Sequence, residues 1–281
     1  MFSKEQIIYN SKFIVGEELS FFTNNRAFLY GDSIFETLRI NNRDILFFEE
    51  HLQRLVDGMR VLKYKIPDIF TKRKKVLYEQ IIQLLNRNKI FKSSRIRINV
   101  YRKTGGFYTP ETNEVDYVIS AKNITDDNYV LNVKGLHLGI FEDVKKPINV
   151  FSQFKTANSL IYVLAGVHKK EYNFDDCLIL NTENFVIEAI SANVFLVKNG
   201  KLFYPPITDA CINGIMRFVI INIAKLNKIE CVERSISKKD LLLADEIFLT
   251  NSISGIQWVV AYKNKRYFKK MSNFLISELN K

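Results

Sequence analysis

The stretch Val186-Ile187-Glu188-Ala189-Ile190-Ser191-Ala192-Asn193-Val194-Phe195 sets one carboxylate inside an otherwise apolar run, followed by small and polar residues. A carboxylate there has to be paired, or exposed at a strand end. Upstream lies Phe154-Lys155-Thr156-Ala157-Asn158. Downstream lie Gly214-Ile215-Met216-Arg217 and Thr250-Asn251-Ser252. The order is an amine, a carboxylate and two donor-rich turns. In a chain this rich in lysine, an arbitrary lysine is a surface residue. Lys155 differs in its setting, since small and polar residues follow it and then the apolar run Leu160-Ile161-Tyr162-Val163-Leu164-Ala165. A lysine that attacks an aldehyde must be neutral part of the time, which burial and nearby cations promote.

Patterning outward from these motifs gives a mixed α/β (α+β) chain of two domains. Residues 6–40 read as strands around turns at Asn24-Asn25 and Gly31-Asp32. Leu52, Leu55, Met59 and Leu62 share a helical face and predict a helix over 49–63. A second helix is expected over 69–89. Arg95-Ile96-Arg97-Ile98-Asn99-Val100 alternates as a half-buried strand does, with residues 115–121 as its partner. The polar segment 122–129 is the expected linker between a domain of residues 1–121 and a larger one of residues 130–281. In the second domain a strand is expected over 130–141 and a helix over 155–172. Strands follow at 177–181, 185–188, 193–198 and 201–204, the last two joined by an Asn199-Gly200 hairpin. Helices are expected over 214–227, 239–244 and 268–280, with strands at 246–250 and 256–261.

Composition excludes several classes. Lys plus Arg exceed Asp plus Glu by 41 to 30, but the basic residues are scattered among acids, so nucleic-acid binding is not expected. The densest run, Lys72-Arg73-Lys74-Lys75, reads as a solvated helix face. Cys177, Cys211 and Cys231 form no CxxC, and His51, His137 and His168 suit no metal cluster. No signal peptide or membrane span is read from the sequence, and the expected location is the cytoplasm. There is no GxGxxG, P-loop or GxSxG motif.

Taken together, Lys155, Glu188 with Ser191-Ala192-Asn193-Val194-Phe195, Gly214-Ile215-Met216-Arg217 and Thr250-Asn251-Ser252 resemble the class IV (fold-type IV) pyridoxal-phosphate enzymes. That family holds branched-chain and D-amino-acid aminotransferases and 4-amino-4-deoxychorismate lyase. The resemblance runs from about Asn25 to Val259. It implies a small N-terminal α/β domain and a larger, strand-rich cofactor domain. Lys155 would be linked to pyridoxal 5'-phosphate as a Schiff base and would shuttle the substrate proton. Glu188 would face the pyridine nitrogen. Ile215 and Met216 would offer backbone N–H groups to the phosphate, with Asn251 and the Ser252 hydroxyl beside them. Arg54, in Glu49-Glu50-His51-Leu52-Gln53-Arg54-Leu55, would add a charge-assisted contact. Arg102 matches a substrate-carboxylate arginine, although a solvated strand-end arginine is an equal reading. Tyr30 and Phe35 match residues that wall the substrate pocket, although such aromatics are more often core.

The branch is left open by the motifs. Leu160 stands five places after Lys155, where branched-chain aminotransferases usually carry a tyrosine. Gly214-Ile215-Met216-Arg217 and Arg102-Lys103-Thr104-Gly105-Gly106 look lyase-like. Phe107, however, stands where the lyase loop carries a second arginine. The first expectation is amino transfer between an amino acid and a 2-oxo acid. The alternative is 4-amino-4-deoxychorismate lyase, releasing pyruvate and 4-aminobenzoate. A non-catalytic basic binding protein on the same fold is a third. The resemblance also implies a homodimer.

Overall fold

A computed structural model describes residues 5–16 and 23–281. The part of the 6–40 strand expectation that falls on 17–22 lies outside the described residues. The chain forms two compact units, one of residues up to Asp127 plus Phe154–Asn158, the other of Asn128–Gln153 plus Ser159–Lys281.

The first unit holds β1 (Gln6–Tyr9), β2 (Lys12–Val15), α1 (Arg26–Tyr30), β3 (Ser33–Asn41), β4 (Asp44–Ile45), α2 (Phe48–Val61), α3 (Lys74–Arg87), β5 (Ser94–Arg102) and β6 (Val115–Asn123). The strands make one antiparallel sheet in the order β2-β1-β6-β5-β3-β4. The alternation along β5 buries Ile96, Ile98 and Val100 against Leu38 and Ile40 of β3, Leu52, Leu55 and Met59 of α2, and Leu77 and Ile81 of α3. Each such side chain contributes roughly 1.5–3 kcal/mol by leaving water. Residues 26–30 are helical, where a strand was expected. The Asn25 side chain accepts from Ala27 and Phe28 N–H, and Gly31, at φ 65°, ends the turn. The two presumed turns are therefore a helix cap and a helix stop.

The second unit holds β7 (Leu136–Lys146), α4 (Leu160–Glu171), β8 (Asp176–Asn181), β9 (Val186–Ala189), β10 (Asn193–Lys198), β11 (Lys201–Tyr204), α5 (Ile215–Leu226), β12 (Cys231–Glu233), α6 (Lys238–Leu243), β13 (Glu246–Asn251), β14 (Gly255–Tyr262), β15 (Lys265–Arg266) and α7 (Lys270–Leu279). The sheet order β12-β11-β10-β13-β14-β7-β8-β9 returns on itself, because β9 also pairs with β10. Six strands thus form a closed ring: β10, β13, β14, β7, β8 and β9. Leu178, Leu180, Val194, Leu196, Ile247, Leu249 and Val259 make its core. The Asn199-Gly200 hairpin joins β10 to β11, both residues at positive φ.

Three element starts differ from the pattern reading by five residues or more, and the first is α3, which begins at Lys74 rather than at 69. β7 runs from Leu136 rather than from 130. Helix α4 begins at Leu160, not at Lys155. Residues 154–158 form a bent, non-helical segment that lies against β3 of the first unit, with Ile34 bridged to Thr156.

Candidate active site

Lys155 is held by its backbone before its side chain matters. Phe35 N–H donates to the Lys155 carbonyl at 2.8 Å, and Ala157 N–H donates to the Ser33 carbonyl at 2.8 Å. Phe154 anchors the segment in the core of the first unit. It packs over Gly58 of α2, where an added Cβ would lie 2.1 Å from Ile34 Cδ1 and 3.2 Å from the Phe154 ring. Gly58 costs the helix about 1 kcal/mol relative to alanine, and close approach of β3 and residue 154 requires it. The half-buried Lys155 Nζ lies 5.1 Å from the Phe35 ring centroid. The Arg97 guanidinium lies 3.8 Å from the same ring. Arg97 also donates from Nε to Asn99. Burial, then Arg95, lowers its pKa.

Arg54 is buried on α2 and grips Glu36 of β3 in a fork, Nε to Oε1 and Nη2 to Oε2, both at 2.7 Å. His51, one turn earlier, meets Glu36 Oε2 through Nδ1 at 2.7 Å. Burial alone would raise the Glu36 carboxyl, but Arg54 and His51 outweigh it and hold it down at about 2. His51 is thus a packed hydrogen-bond partner of Glu36.

Arg102 is placed differently from the substrate-binding expectation. Its Nε donates to Asp32 at 2.9 Å, its Nη2 to the Leu62 carbonyl at 2.8 Å, and its Nη1 to Asn113. It stacks on Tyr64, whose hydroxyl also donates to Asp32. Arg26 donates to the same carboxylate and to the carbonyls of Gly105, Gly106 and Phe107. Arg102 is therefore a buried brace of the first unit, with every guanidinium nitrogen engaged. Tyr30 pairs with the exposed Tyr108, ring centroids 5.5 Å apart.

In the second unit Glu188 is 2 % exposed and meets donors from β7, α4 and the segment before α5. Lys146 Nζ at the end of β7 and the Tyr162 hydroxyl of α4 both donate to Oε1 at 2.7 Å. Ile212 N–H donates to Oε2 at 2.8 Å. Burial, then the Glu188 charge, pushes the Tyr162 phenol well up, so it remains a donor. Burial and Glu188 also push the Cys211 thiol up to about 12. Lys146 and Tyr162 were not singled out from the sequence; nothing local marks either.

Helix α5 begins at Gly214 with no side-chain cap and no acid in its first turn. The Ile215 and Met216 N–H groups point out of the helix start without intrahelical acceptors. A Cβ on Gly214 would lie 1.9 Å from Asn193 Oδ1, so only glycine lets this helix start approach β10. Asn193 donates to the Ile212 carbonyl at 2.8 Å. Its neighbour across β13 is Thr250, whose buried hydroxyl has no partner among the described residues. Asn251 Oδ1 turns inward to the N–H groups of Ile253 and Ser254, and the Ser252 carbonyl accepts from Tyr129. Lys155, Arg54, Phe35, Tyr30 and Arg102 belong to the first unit, and Glu188, Ile215, Met216, Asn251 and Ser252 to the second. No group of three or more metal-ligating residues occurs among the described residues.

Comparison with known proteins gives a consistent assignment. The family model "amino-transferase class IV" matches residues 33–262. A putative branched-chain-amino-acid aminotransferase of Methanocaldococcus jannaschii is 29% identical over 254 residues, covering 89% of this chain and 85% of that protein. The aminodeoxychorismate lyase of Vibrio harveyi is 28% identical, covering 83% of each. Among solved structures, a branched-chain aminotransferase from Thermoproteus uzoniensis superimposes with a TM-score of 0.87 at 20% identity, covering 98% of this chain and 93% of that one. A putative 4-amino-4-deoxychorismate lyase from Legionella pneumophila gives 0.82 at 27% identity, covering 94% and 96%. The architecture is fold-type IV, and the chain belongs to the class IV amino-transferase family of enzymes.

Proposed function

We propose that this enzyme moves an amino group between an amino acid and a 2-oxo acid, using pyridoxal 5'-phosphate carried on Lys155. The observation that carries the reading is Glu188: a buried carboxylate that accepts from three donors, one strand pair away from the open start of α5. The donor set fits the cofactor. A carboxylate has about four acceptor positions, and three on Glu188 are taken, so one is left for a protonated ring nitrogen. The uncapped start of α5 and the orphaned Thr250 hydroxyl suit a phosphate. Arg54, braced by Glu36, and the Ser252 hydroxyl are assigned to that phosphate as well, with Asn251 shaping the turn.

When bound, the cofactor supplies an aldehyde and a ring that accepts electrons from the substrate carbon. Glu188 would hold the proton on the ring nitrogen. Lys155 would take the proton from the substrate carbon and return it. Phe35 and Tyr30 are assigned to the pocket wall. Arg97, which shares the Phe35 ring with Lys155, is a better candidate for the substrate carboxylate than the saturated Arg102.

Two points favour lyase activity as a second reading. Leu160 leaves the site without the tyrosine of branched-chain aminotransferases, and Tyr162 is committed to Glu188. The Vibrio harveyi lyase also matches over 83% of both chains. We further infer a homodimer and a location in the cytoplasm. Leu160, Val163, Leu164 and Val167 form an exposed apolar stripe on α4 that a second copy would cover. No helix among the described residues is long and apolar enough to cross a membrane.

The test is direct. Purified protein mixed with pyridoxal phosphate should gain a visible absorption band that Lys155→Ala lacks. It should then convert 2-oxo acids in the presence of amino-acid donors. A protein that stays colourless, with or without Lys155, removes the proposal. Release of 4-aminobenzoate from aminodeoxychorismate without an amino acceptor would select the lyase reading.

A further inference from the structure

Glu188 is not a bare carboxylate. Lys146 Nζ reaches it at 2.7 Å while also donating to the Ser152 carbonyl at 2.8 Å, so the ammonium is pinned from both sides. It lies 5.5 Å from the centroid of the Tyr162 ring, whose hydroxyl fills the other position on Oε1. The Cys211 thiol nearby stays neutral. The second oxygen takes the Ile212 N–H. Strand β7, helix α4 and the segment before α5 therefore fix the rotamer of Glu188 and leave one acceptor position.

We propose that Lys146 and Tyr162 are positioning residues that set how strongly Glu188 holds the ring nitrogen of the cofactor. The inference rests on the assignment of Glu188 to that nitrogen. The Lys146 charge cancels that of Glu188 within one buried cluster, and two donors draw electron density to Oε1. A proton on the ring nitrogen is then attracted less than it would be by an isolated buried carboxylate. The enzyme gives up part of the strength of its electron sink and gains a fixed orientation.

The readout is the ratio of two dissociation constants, one for a 1-deaza analogue that lacks the ring nitrogen and one for pyridoxal phosphate, each measured by fluorescence titration of the apoprotein. A purely structural role for Lys146 would change both constants alike and leave the ratio untouched. Lys146→Met should raise the ratio about tenfold, the size expected from removing one unit charge at close range. Tyr162→Phe should raise it by less, and Lys146→Arg should leave it near the wild-type value. Glu188→Gln should bring it towards one. An unchanged ratio in both Lys146→Met and Tyr162→Phe overturns the inference. If Lys146→Met does not fold, Tyr162→Phe decides alone. A wild-type ratio near one would instead remove the Glu188 assignment, and failure to bind either compound would remove the proposed function.

Discussion

Glu188 and Asn193 face each other across the antiparallel pair that closes the six-stranded ring of the second unit. Side chains of directly paired residues share a face, and Asn193 is in turn paired with Thr250. One row across three strands thus carries the buried carboxylate, the amide that seats Gly214, and the orphaned hydroxyl. This row ties the group assigned to the ring nitrogen to the groups assigned to the phosphate. Their separation is set by strand spacing rather than by loops.

That coupling predicts the effect of Gly214→Ala. The new methyl would lie 1.9 Å from Asn193 Oδ1, so Asn193 or the start of α5 must move. Overpacking of this kind costs about 1–3 kcal/mol. Affinity for pyridoxal phosphate should fall about tenfold or more, and the apoprotein should lose stability by the cost of the clash alone. Fluorescence titration and a melting curve separate the two effects. Unchanged affinity would show that the helix start does not hold the phosphate.

The signals at Lys155 and Glu188 are local and can be read from the sequence alone: a polar, small-residue segment after one, an apolar run around the other. The groups that tune Glu188 cannot. Lys146 arrives from β7 and Tyr162 from α4, and no spacing rule connects either to residue 188. The non-helical course of residues 154–158 is also hidden. Thr156 and Ala157 fit a helix as well as a strand, and pairing with β3 decides between them. The helix over Arg26–Tyr30 was missed for the opposite reason: Asn25 and Gly31 signal a turn and a helix boundary equally well.

Arg102 shows the same limit, and its reassignment can be tested against Arg97. The alternation of β5 places Arg102 at a strand end, but Asp32, Leu62 and Asn113 claim its nitrogens from distant parts of the chain. Arg102→Ala leaves Asp32 without one of its cations and should lower stability by about 3 kcal/mol. Arg97→Ala should instead raise KM for the amino donor about tenfold, with a small change in melting temperature. Steady-state kinetics and melting curves on both variants check this. A KM effect confined to Arg102→Ala would restore the first expectation.

Acid should expose the Glu36 pair. Its carboxyl is held at about 2, against 4.5 for an ordinary glutamate. A depressed folded-state value means stability that is present above the unfolded value and lost as pH falls through the folded one. The window is therefore from 4.5 down to about 2. The shift corresponds to about 3 kcal/mol. Denaturant titrations across this window should show wild-type stability falling with a slope that Glu36→Gln lacks. At neutral pH Glu36→Gln removes the carboxylate that Arg54 grips in a fork and should cost about 3–5 kcal/mol. Equal slopes would mean that other carboxylates carry the acid sensitivity.

The apolar stripe on α4 bears on assembly. Leu160, Val163, Leu164 and Val167 recur at helical spacing, and all four are exposed. Such a stripe gains by meeting another apolar face rather than water. An isologous contact would set the stripe against the same face of a second copy. Val163→Glu places a carboxylate on both sides of that contact, so like charges would meet where apolar surface packed. The wild type should run as a dimer by light scattering, and Val163→Glu should shift it to monomer with its circular dichroism unchanged. A wild-type monomer, or a dimer indifferent to Val163→Glu, would move the interface elsewhere and leave the stripe without a role in assembly.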